Sequence, residues 1–365
     1  MFKINDHMEG AIYLNGQELE LSGANFMQSL HIRSSARAKL PVAVLRFTDL
    51  TNSAMNNGLQ DNVPMVVAIN GVLNKEYKFR VHRWSRTPAG DAFNYAIEAY
   101  LDSPKWWAGT AGASINGTSY EAIQKMANEC GLKMWQSSTP TSDTMIWNPG
   151  NRVYSEFARL VCRAGFIDDQ SHMALAVDFE GQVRYVNVNA LAPPTLNLGH
   201  VAEGTGGGTF VQILDFTPTA TAGDNNMLAG YLHDRYVQTL EKPEILKEVT
   251  LSPDSKKPLL NKDVREAIAR GGISYGPLDF GNAHPKYERA LYQNLRFNML
   301  NNLQAEVSIG FQTDLDIFNN FKYVPPQELE SVAYSGEFTI SDKIIYIAGP
   351  SYYEKLIVTK NGLEA

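Results

Sequence analysis

The sequence predicts an α+β fold that is mainly β: two antiparallel β-barrel domains with a helical and hairpin domain inserted between them. Three observations predict it. Short runs of alternating apolar and polar residues, bounded by Gly, Asn and Pro, fill residues 10–101. Two segments of helical period, each closed by a glycine and followed by a tight hairpin, occupy 118–187. Alternating runs then resume and continue to residue 359. The expected boundaries are 1–108 for the first barrel, 109–192 for the paired helices and hairpin, and 193–365 for the second barrel, which carries an irregular excursion at 240–285.

The first barrel comes from strands at Ile12–Leu14, Glu18–Leu21, Met27–Arg33, Val42–Asp49, Met65–Asn70, Tyr77–Ser85 and Phe93–Tyr100. Asn15-Gly16 and Asn70-Gly71 are hairpin signals, because Asn and Gly tolerate the positive φ of the favoured tight turns. Short alternating strands of this kind favour a closed or nearly closed antiparallel barrel. Residues 102–117, with Pro104, Trp106, Trp107 and several glycines, read as a linker.

The middle domain carries the clearest local signals in the chain. Thr118 and Glu121 make a capping box, each side chain serving an amide at the helix start. Tyr120, Ile123, Ala127 and Cys130 form one apolar stripe, and Gly131 supplies the left-handed residue that ends the helix. In the second helix Asn151 is the expected cap, and Val153, Phe157, Leu160, Val161 and Ala164 form the stripe ending at Gly165. The hairpin Ala174–Phe179, Glu180-Gly181, Gln182–Val186 should pack against both helices. A unit of roughly 70 residues is near the lower limit for independent stability and should lean on a neighbour.

Pro193-Pro194 marks the next boundary, and Gly204–Gly208 reads as a hinge. Strands follow at Phe210–Phe216 and Leu228–Thr239. The excursion at 240–285 holds one short helix near Asp263–Ala269. Tyr287, Leu291, Leu295, Met299 and Leu303 recur every four residues and predict a helix over 286–303. The last strands are Ala305–Phe311, Gly336–Ile347 and Tyr352–Thr359. An internal similarity joins the two β regions. Glu76-Tyr77-Lys78-Phe79 precedes the turn at 88–90 and a strand from Phe93; Glu337-Phe338-Thr339-Ile340 precedes the turn at 348–350 and a strand from Tyr352. One chain would then carry two copies of a barrel.

Bulk chemistry excludes several classes. No run approaches the roughly 18 apolar residues of a membrane span, and Met1–His7 lacks the apolar core of a signal peptide, so synthesis in the cytoplasm is expected. A net charge of −7, from 39 acidic and 32 basic residues, argues against tight phosphate-backbone binding. Cys130 and Cys162 lie on helix stripes at a spacing unlike any metal or redox motif, so they read as buried reduced thiols.

Candidate chemistry is sparse, and no catalytic, cofactor-binding or metal residue is assigned. Gly204–Gly208 lacks the Gly-Lys-Ser/Thr ending of a phosphate loop. Histidines 7, 31, 82, 172, 200, 233 and 284 form no ligand cluster. His233-Asp234-Arg235 lies in an expected strand, where neighbours face opposite sides. The acid pairs Asp168-Asp169 and Asp314/Asp316 raise glycoside hydrolysis, which needs one carboxyl in an apolar pocket; both pairs sit beside turn residues and read as solvated loop acids. Trp106-Trp107 reads as a hydrophobic anchor at a domain or subunit contact rather than a sugar platform. Lys256, Lys257, Lys262 and Arg265 are offset by Asp254, Asp263 and Glu266 and read as solvated surface.

The order barrel, paired helices, hairpin, second barrel resembles the hub proteins of phage tails: the baseplate hub of contractile tails, the late-control protein D group and the N-terminal part of VgrG spikes. The likeness is carried by Thr118–Leu132, Arg152–Phe166, Phe179–Val186 and Tyr334–Ile340, and it fits 240–285 poorly. The resemblance implies a virion structural protein of the tail baseplate, assembled in the host cytoplasm, with no enzymatic activity and no cofactor. It implies a homotrimer whose two tube-type barrels per chain make a pseudo-sixfold ring between tail tube protein and central spike protein, with baseplate wedge proteins as further partners and no membrane. DNA would pass through the lumen without specific binding, for which mild acidity is suited. The alternatives are a tail-associated cell-wall hydrolase or carbohydrate-binding module, and a secretion-system spike, disfavoured because no needle follows the second barrel.

Overall fold

Alternation buries one face of the long strands in residues 2–101, except over 82–89, where no residue is fully buried. The computed structural model describes residues 2–23, 25–36, 40–168, 171–194, 196–200, 209–219, 303–325 and 335–360, together with the backbone of three short strands between 234 and 275. The first strands are β1 (Phe2–Asn5), β2 (Met8–Leu14), β3 (Gln17–Glu18), β4 (Phe26–Ser35), β5 (Val42–Asp49), β6 (Pro64–Asn70), β7 (Lys75–Ala89) and β8 (Ala92–Leu101), with a one-turn helix α1 (Ser53–Asn56) after β5. Asn15 and Gly16, at φ 52° and 80°, make the expected two-residue turn between β2 and β3. Asn70 instead ends β6, and a longer loop leads to β7. The expected linker at 102–117 contains helix α2 (Pro104–Ala108) and strand β9 (Ile115–Gly117). Pro104 stands at the first helical position, where its missing N–H has no partner to lose.

The middle unit continues with α3 (Ser119–Glu129), β10 (Lys133–Met134), β11 (Met145–Trp147), α4 (Tyr154–Ala164), β12 (Met173–Val177) and β13 (Gln182–Asn187). Thr118 and Glu121 form the capping box, and Gly131 ends α3 at φ 74°. The start of α4 departs from expectation. Asn151 turns the chain at φ 62°, and Val153 occupies the cap position without a side-chain bond. Gly165 is not left-handed either (φ −63°). Its side-chain-free Cα leaves room for Tyr185, whose hydroxyl would lie 2.0 Å from an added Cβ. Ile123, Met126, Phe157, Val161, Val183, Tyr185 and Trp106 share the core of this unit, so helices and hairpin pack together as expected. Both thiols are free and buried, and burial pushes each up to about 12.

The chain then forms β14 (Leu196–Gly199), β15 (Thr209–Gln212), β16 (Asp215–Thr219), β17 (Asp234–Tyr236), β18 (Glu248–Val249), β19 (Ile273–Tyr275), β20 (Leu303–Ile309), β21 (Asn320–Val324), β22 (Gly336–Ala348) and β23 (Ser351–Lys360). The run expected as one strand at 210–216 is two, β15 and β16, parted at Ile213-Leu214. The hinge at 204–208, the helix at 263–269, the helix at 286–303 before Leu303, most of the strand at 228–239 and, apart from β18 and β19, the excursion at 240–285 lie outside the described residues.

The architecture is mainly β with the helical unit inserted, as expected. Fifteen strands join in one curled sheet, ordered β1-β2-β6-β7-β8-β5-β4-β22-β21-β14-β15, with β23, β20 and β16 continuing from β22 and β3 pairing β2. One core gathers Ile12, Leu30, Leu45, Phe47, Phe79 and Ile97; another gathers Leu198, Val307, Phe321, Phe338 and Leu356.

The two sheet regions repeat one another. The order β6-β7-β8-β5-β4 returns as β21-β22-β23-β20-β16, every neighbour antiparallel in both. Both hairpins close on two residues with a glycine first, Gly90 at φ 63° and Gly349 at φ 55°. Each carries a bulge, at His82 and at Ser341, followed by seven pairs to the turn (Arg83–Ala89 and Asp342–Ala348). Counting from the turns and pairings, Met65, Phe79, Ile97 and Leu45 fall on Phe321, Phe338, Leu356 and Val307, all fully buried. The similarity noted in the sequence is therefore shifted in its first strand: Phe79, not Tyr77, occupies the place of Phe338.

Candidate functional site: the buried junction and the open sheet edges

The loop 310–319 is where the two sheet regions and the helical unit meet, and sequence-distant charges hold it. Asp178, in the β12–β13 turn, accepts from the amides of Glu180 (3.0 Å) and Gln182 (2.8 Å) through one oxygen. Its other oxygen accepts from Arg184 Nε at 2.9 Å. Arg184 lies over the Trp135 ring, donates to the Ile317 carbonyl at 2.8 Å and faces Asp316 Oδ2 at 3.6 Å. On the other side of the loop, Lys343 Nζ pairs with Glu354 at 3.0 Å and donates to the carbonyls of Thr313 (3.0 Å) and Leu315 (2.7 Å). Glu354 also accepts from Thr313 N, Thr313 Oγ1 and the Tyr352 hydroxyl. Gln312 accepts from Leu73 N at 2.9 Å, and Lys75 bridges Glu180 and Asp314, tying the first sheet region to the same loop.

Three carboxylates (Asp178, Asp316, Glu354) thus share two cations in a site almost closed to solvent. The imbalance falls on Asp316. Burial lifts its carboxyl to about 6, against an ordinary 3.8, and the attraction of Arg184 and Lys343 only partly offsets this. The expectation of a solvated acid is corrected for Asp316, which lies buried facing an arginine far away in sequence; Asp314 is exposed. A carboxyl that holds its proton more tightly when folded stabilises the fold below its unfolded value and loses that contribution as pH rises through about 6. The unfolding free energy should fall by up to about 3 kcal/mol from this group between roughly pH 4 and pH 7. Asp316→Asn should flatten the decline, read from urea titrations across that range; an unchanged slope would refute the assignment.

Two of the three carboxylates are fully engaged in holding the loop. Both oxygens of Asp178 are engaged, and those of Glu354 are held by four groups. Asp168 is exposed and Asp169 lies outside the described residues. Among the described residues no group of His, Cys, Asp or Glu is placed to hold a metal, and no helix is long and apolar enough to cross a membrane. His31 stacks edge-on against Tyr346, His82 lies against Tyr100 and Trp107, and His172 is buried. His233, His284 and the basic patch at 256–265 lie outside the described residues, as do the side chains of Asp234 and Arg235. Trp106 is buried in the helical unit, and Trp107, half-buried, packs on Tyr100 and His82 of the first sheet region.

Two sheet edges lack a partner on one side among the described residues and correspond, by the repeat, to the two sides of an internal joint. Beyond its bulge at Ser341, β22 changes partner, from β21 to β4 over Asp342–Ile347. Beyond its bulge at His82, β7 keeps β8 on one side and has no partner on the other among the described residues. Strand β16 likewise pairs only β20 among the described residues.

No family model matches the chain, and no curated protein matches it by sequence. Solved structures do match over nearly its whole length. The tail protein from Neisseria meningitidis aligns with TM-score 0.63 at 10% identity, covering 98% of both chains. The 43 kDa tail protein of prophage MuSo2 from Shewanella oneidensis aligns with TM-score 0.60 at 11% identity, covering 98% of this chain and 99% of its own. A chain of the Francisella PdpA–VgrG complex aligns with TM-score 0.57 at 9% identity, covering 98% of this chain and 59% of its own. The fold is the one these phage tail and VgrG proteins share.

Proposed function

We propose that the chain is a structural protein of a phage-type tail, a baseplate hub that assembles as a homotrimer. Three chains with two copies of the five-stranded unit each would make a ring of six similar units, adapting a sixfold tail tube to a threefold central spike. The observation that supports this reading best is the register-matched repeat within one chain, on a fold shared with tail proteins. In this reading residues 1–108 and 193–365 are the tube-type domains, and 109–192 braces one against the other. Trp106 and Trp107 anchor that brace on the first tube domain. The tail tube, the spike and the baseplate wedge are its protein partners, and it acts in the virion without catalysing a reaction. The net charge of −7 suits a lumen through which DNA passes without adhering.

Native mass spectrometry of the purified protein should give three chains, and electron microscopy a ring with six lobes. A stable monomer at tens of micromolar, unchanged by a spike partner, would overturn the reading. Release of peptidoglycan fragments, abolished by one carboxylate substitution, would favour a cell-wall hydrolase instead.

A further inference from the structure

We propose that the open edge of β7 pairs with the open edge of β16 in a second copy of this chain, reproducing between chains the β4–β22 joint that each chain makes internally. The inference rests on the ring reading above and specifies its chain-to-chain contact.

The internal joint is the template. It pairs Asp342–Ile347 with Ser35–Leu30 in six antiparallel steps. By the repeat established above, β22 corresponds to β7 and β4 to β16. Leu30 and Ile32 then fall on Phe216 and Pro218, and Ile345 and Ile347 on Arg86 and Pro88. Carrying the template across gives a definite register: Pro88 opposite Phe216, Thr87 opposite Thr217, Arg86 opposite Pro218 and Ser85 opposite Thr219.

Burial follows the same logic. Leu30, Ile32, Ile345 and Ile347 are completely buried because each strand covers the other. Their equivalents are uncovered: Arg86, Pro88 and Pro218 are exposed, and Phe216 is only half-buried. Trp84, at the place of the buried Lys343, is half-buried too. Among the described residues, a single copy leaves open on both edges what the joint would close.

The chemistry of the two edges matches. On one face Trp84, the Arg86 guanidinium already seated 3.3 Å above the Phe93 ring, and Pro88 would meet Phe216 and Pro218. On the other, Thr87 and Ser85 would face Thr217 and Thr219, where cross-strand hydroxyl pairs are favourable. The turn-closing pair Ala89–Ala92 fixes which main-chain groups point outward, at Trp84, Arg86 and Pro88. The two prolines each lack one outward donor, leaving Phe216 N–H to Pro88 C=O and Arg86 N–H to Pro218 C=O. Prolines on open edges also discourage promiscuous strand addition, so the joint forms with its own partner. Because the two edges differ, the contact is head-to-tail, and the threefold rotation of the ring reading is what closes it.

The test is a disulfide across the joint, with Thr87→Cys and Thr217→Cys in one chain. Facing residues of a non-hydrogen-bonded antiparallel pair lie about 4.5 Å apart at Cα, within disulfide reach. The native thiols are buried and stay out of the reaction. Oxidation should give linked two-chain and three-chain species on a non-reducing gel, with the closed three-chain form dominant. A mixture of the two single variants should stop at two chains. The off-register pair Thr87→Cys/Asp215→Cys should stay unlinked. A ring by native mass without crosslinking refutes the joint and leaves the ring reading standing; a monomer refutes both. A bond within one chain, or equal linking off register, overturns the proposed partner or register.

Discussion

Replacing Asp143 with alanine should lower the unfolding free energy by about 3–5 kcal/mol, because removing the acceptor of buried donors costs about 1–3 kcal/mol each. Asp143 is almost fully buried and accepts four hydrogen bonds: Ser119 N (2.8 Å), Ser119 Oγ (2.6 Å), Thr141 Oγ1 (2.8 Å) and Phe166 N (2.6 Å). It therefore fastens the first turn of α3 to the segment leaving α4. Ser119 Oγ continues the chain to the Tyr185 hydroxyl at 2.7 Å on β13. An alanine would take away the carboxylate acceptor of two amides in a site that the close packing of Gly165 and Tyr185 leaves little room to rehydrate. Asp143→Asn keeps one acceptor oxygen and turns an amide donor toward other donors, so it should lose roughly half as much. Urea unfolding followed by tryptophan fluorescence, with Trp106 and Trp147 in this unit, provides the readout. A fall in midpoint at unchanged slope reports stability alone. A loss below about 1 kcal/mol would mean that the network is solvent-accessible after all.

What could be read from the sequence was local. The Thr118 capping box, the Gly131 stop and the Asn15-Gly16 turn each depend on residues within one turn of one another, and all three form. Asn151 misled because an Asn that turns the chain and an Asn that caps a helix look alike until φ is known. Pro104 misled in the same way, a helix starter taken for a breaker. The repeat was visible in its turns and second strands. The first strands slipped by two residues because a strand's alternation repeats every two residues. Glu76-Tyr77-Lys78-Phe79 therefore matches Glu337-Phe338-Thr339-Ile340 equally well one period out of register; the bulge, common to both strands, offsets neither. Asp143 and Asp316 were out of reach. Apart from Thr141, the donors to Asp143 lie about two helical lengths away on each side, and Asp316 faces an arginine on another unit. Nothing in a loop acid's own neighbourhood signals that kind of burial.

Lys343→Met should cost about 3–5 kcal/mol, and Glu354→Met a similar amount, since each leaves one charge buried without its partner. The double variant should cost less than either single one, so the coupling energy in the cycle should exceed the larger single loss, about 3–5 kcal/mol. The repeat supplies the reason. Lys343 and Glu354 occupy the places held in the first sheet region by Trp84 and Tyr95, whose rings lie 6.4 Å apart. The same sheet geometry therefore already accommodates an apolar pair at this point. In the second region the ion pair also fastens the loop. Lys343 holds the carbonyls of Thr313 and Leu315, and Glu354 holds the Thr313 amide and hydroxyl. The double variant should consequently keep most of its global stability while the loop 310–319 loosens. Hydrogen exchange should then rise at the Thr313 amide and leave those of β20 and β23 protected. Losses that simply add across the four proteins, with exchange rising evenly, would show that the pair fastens no loop. The loop would then depend on Arg184, Lys75 and Gln312.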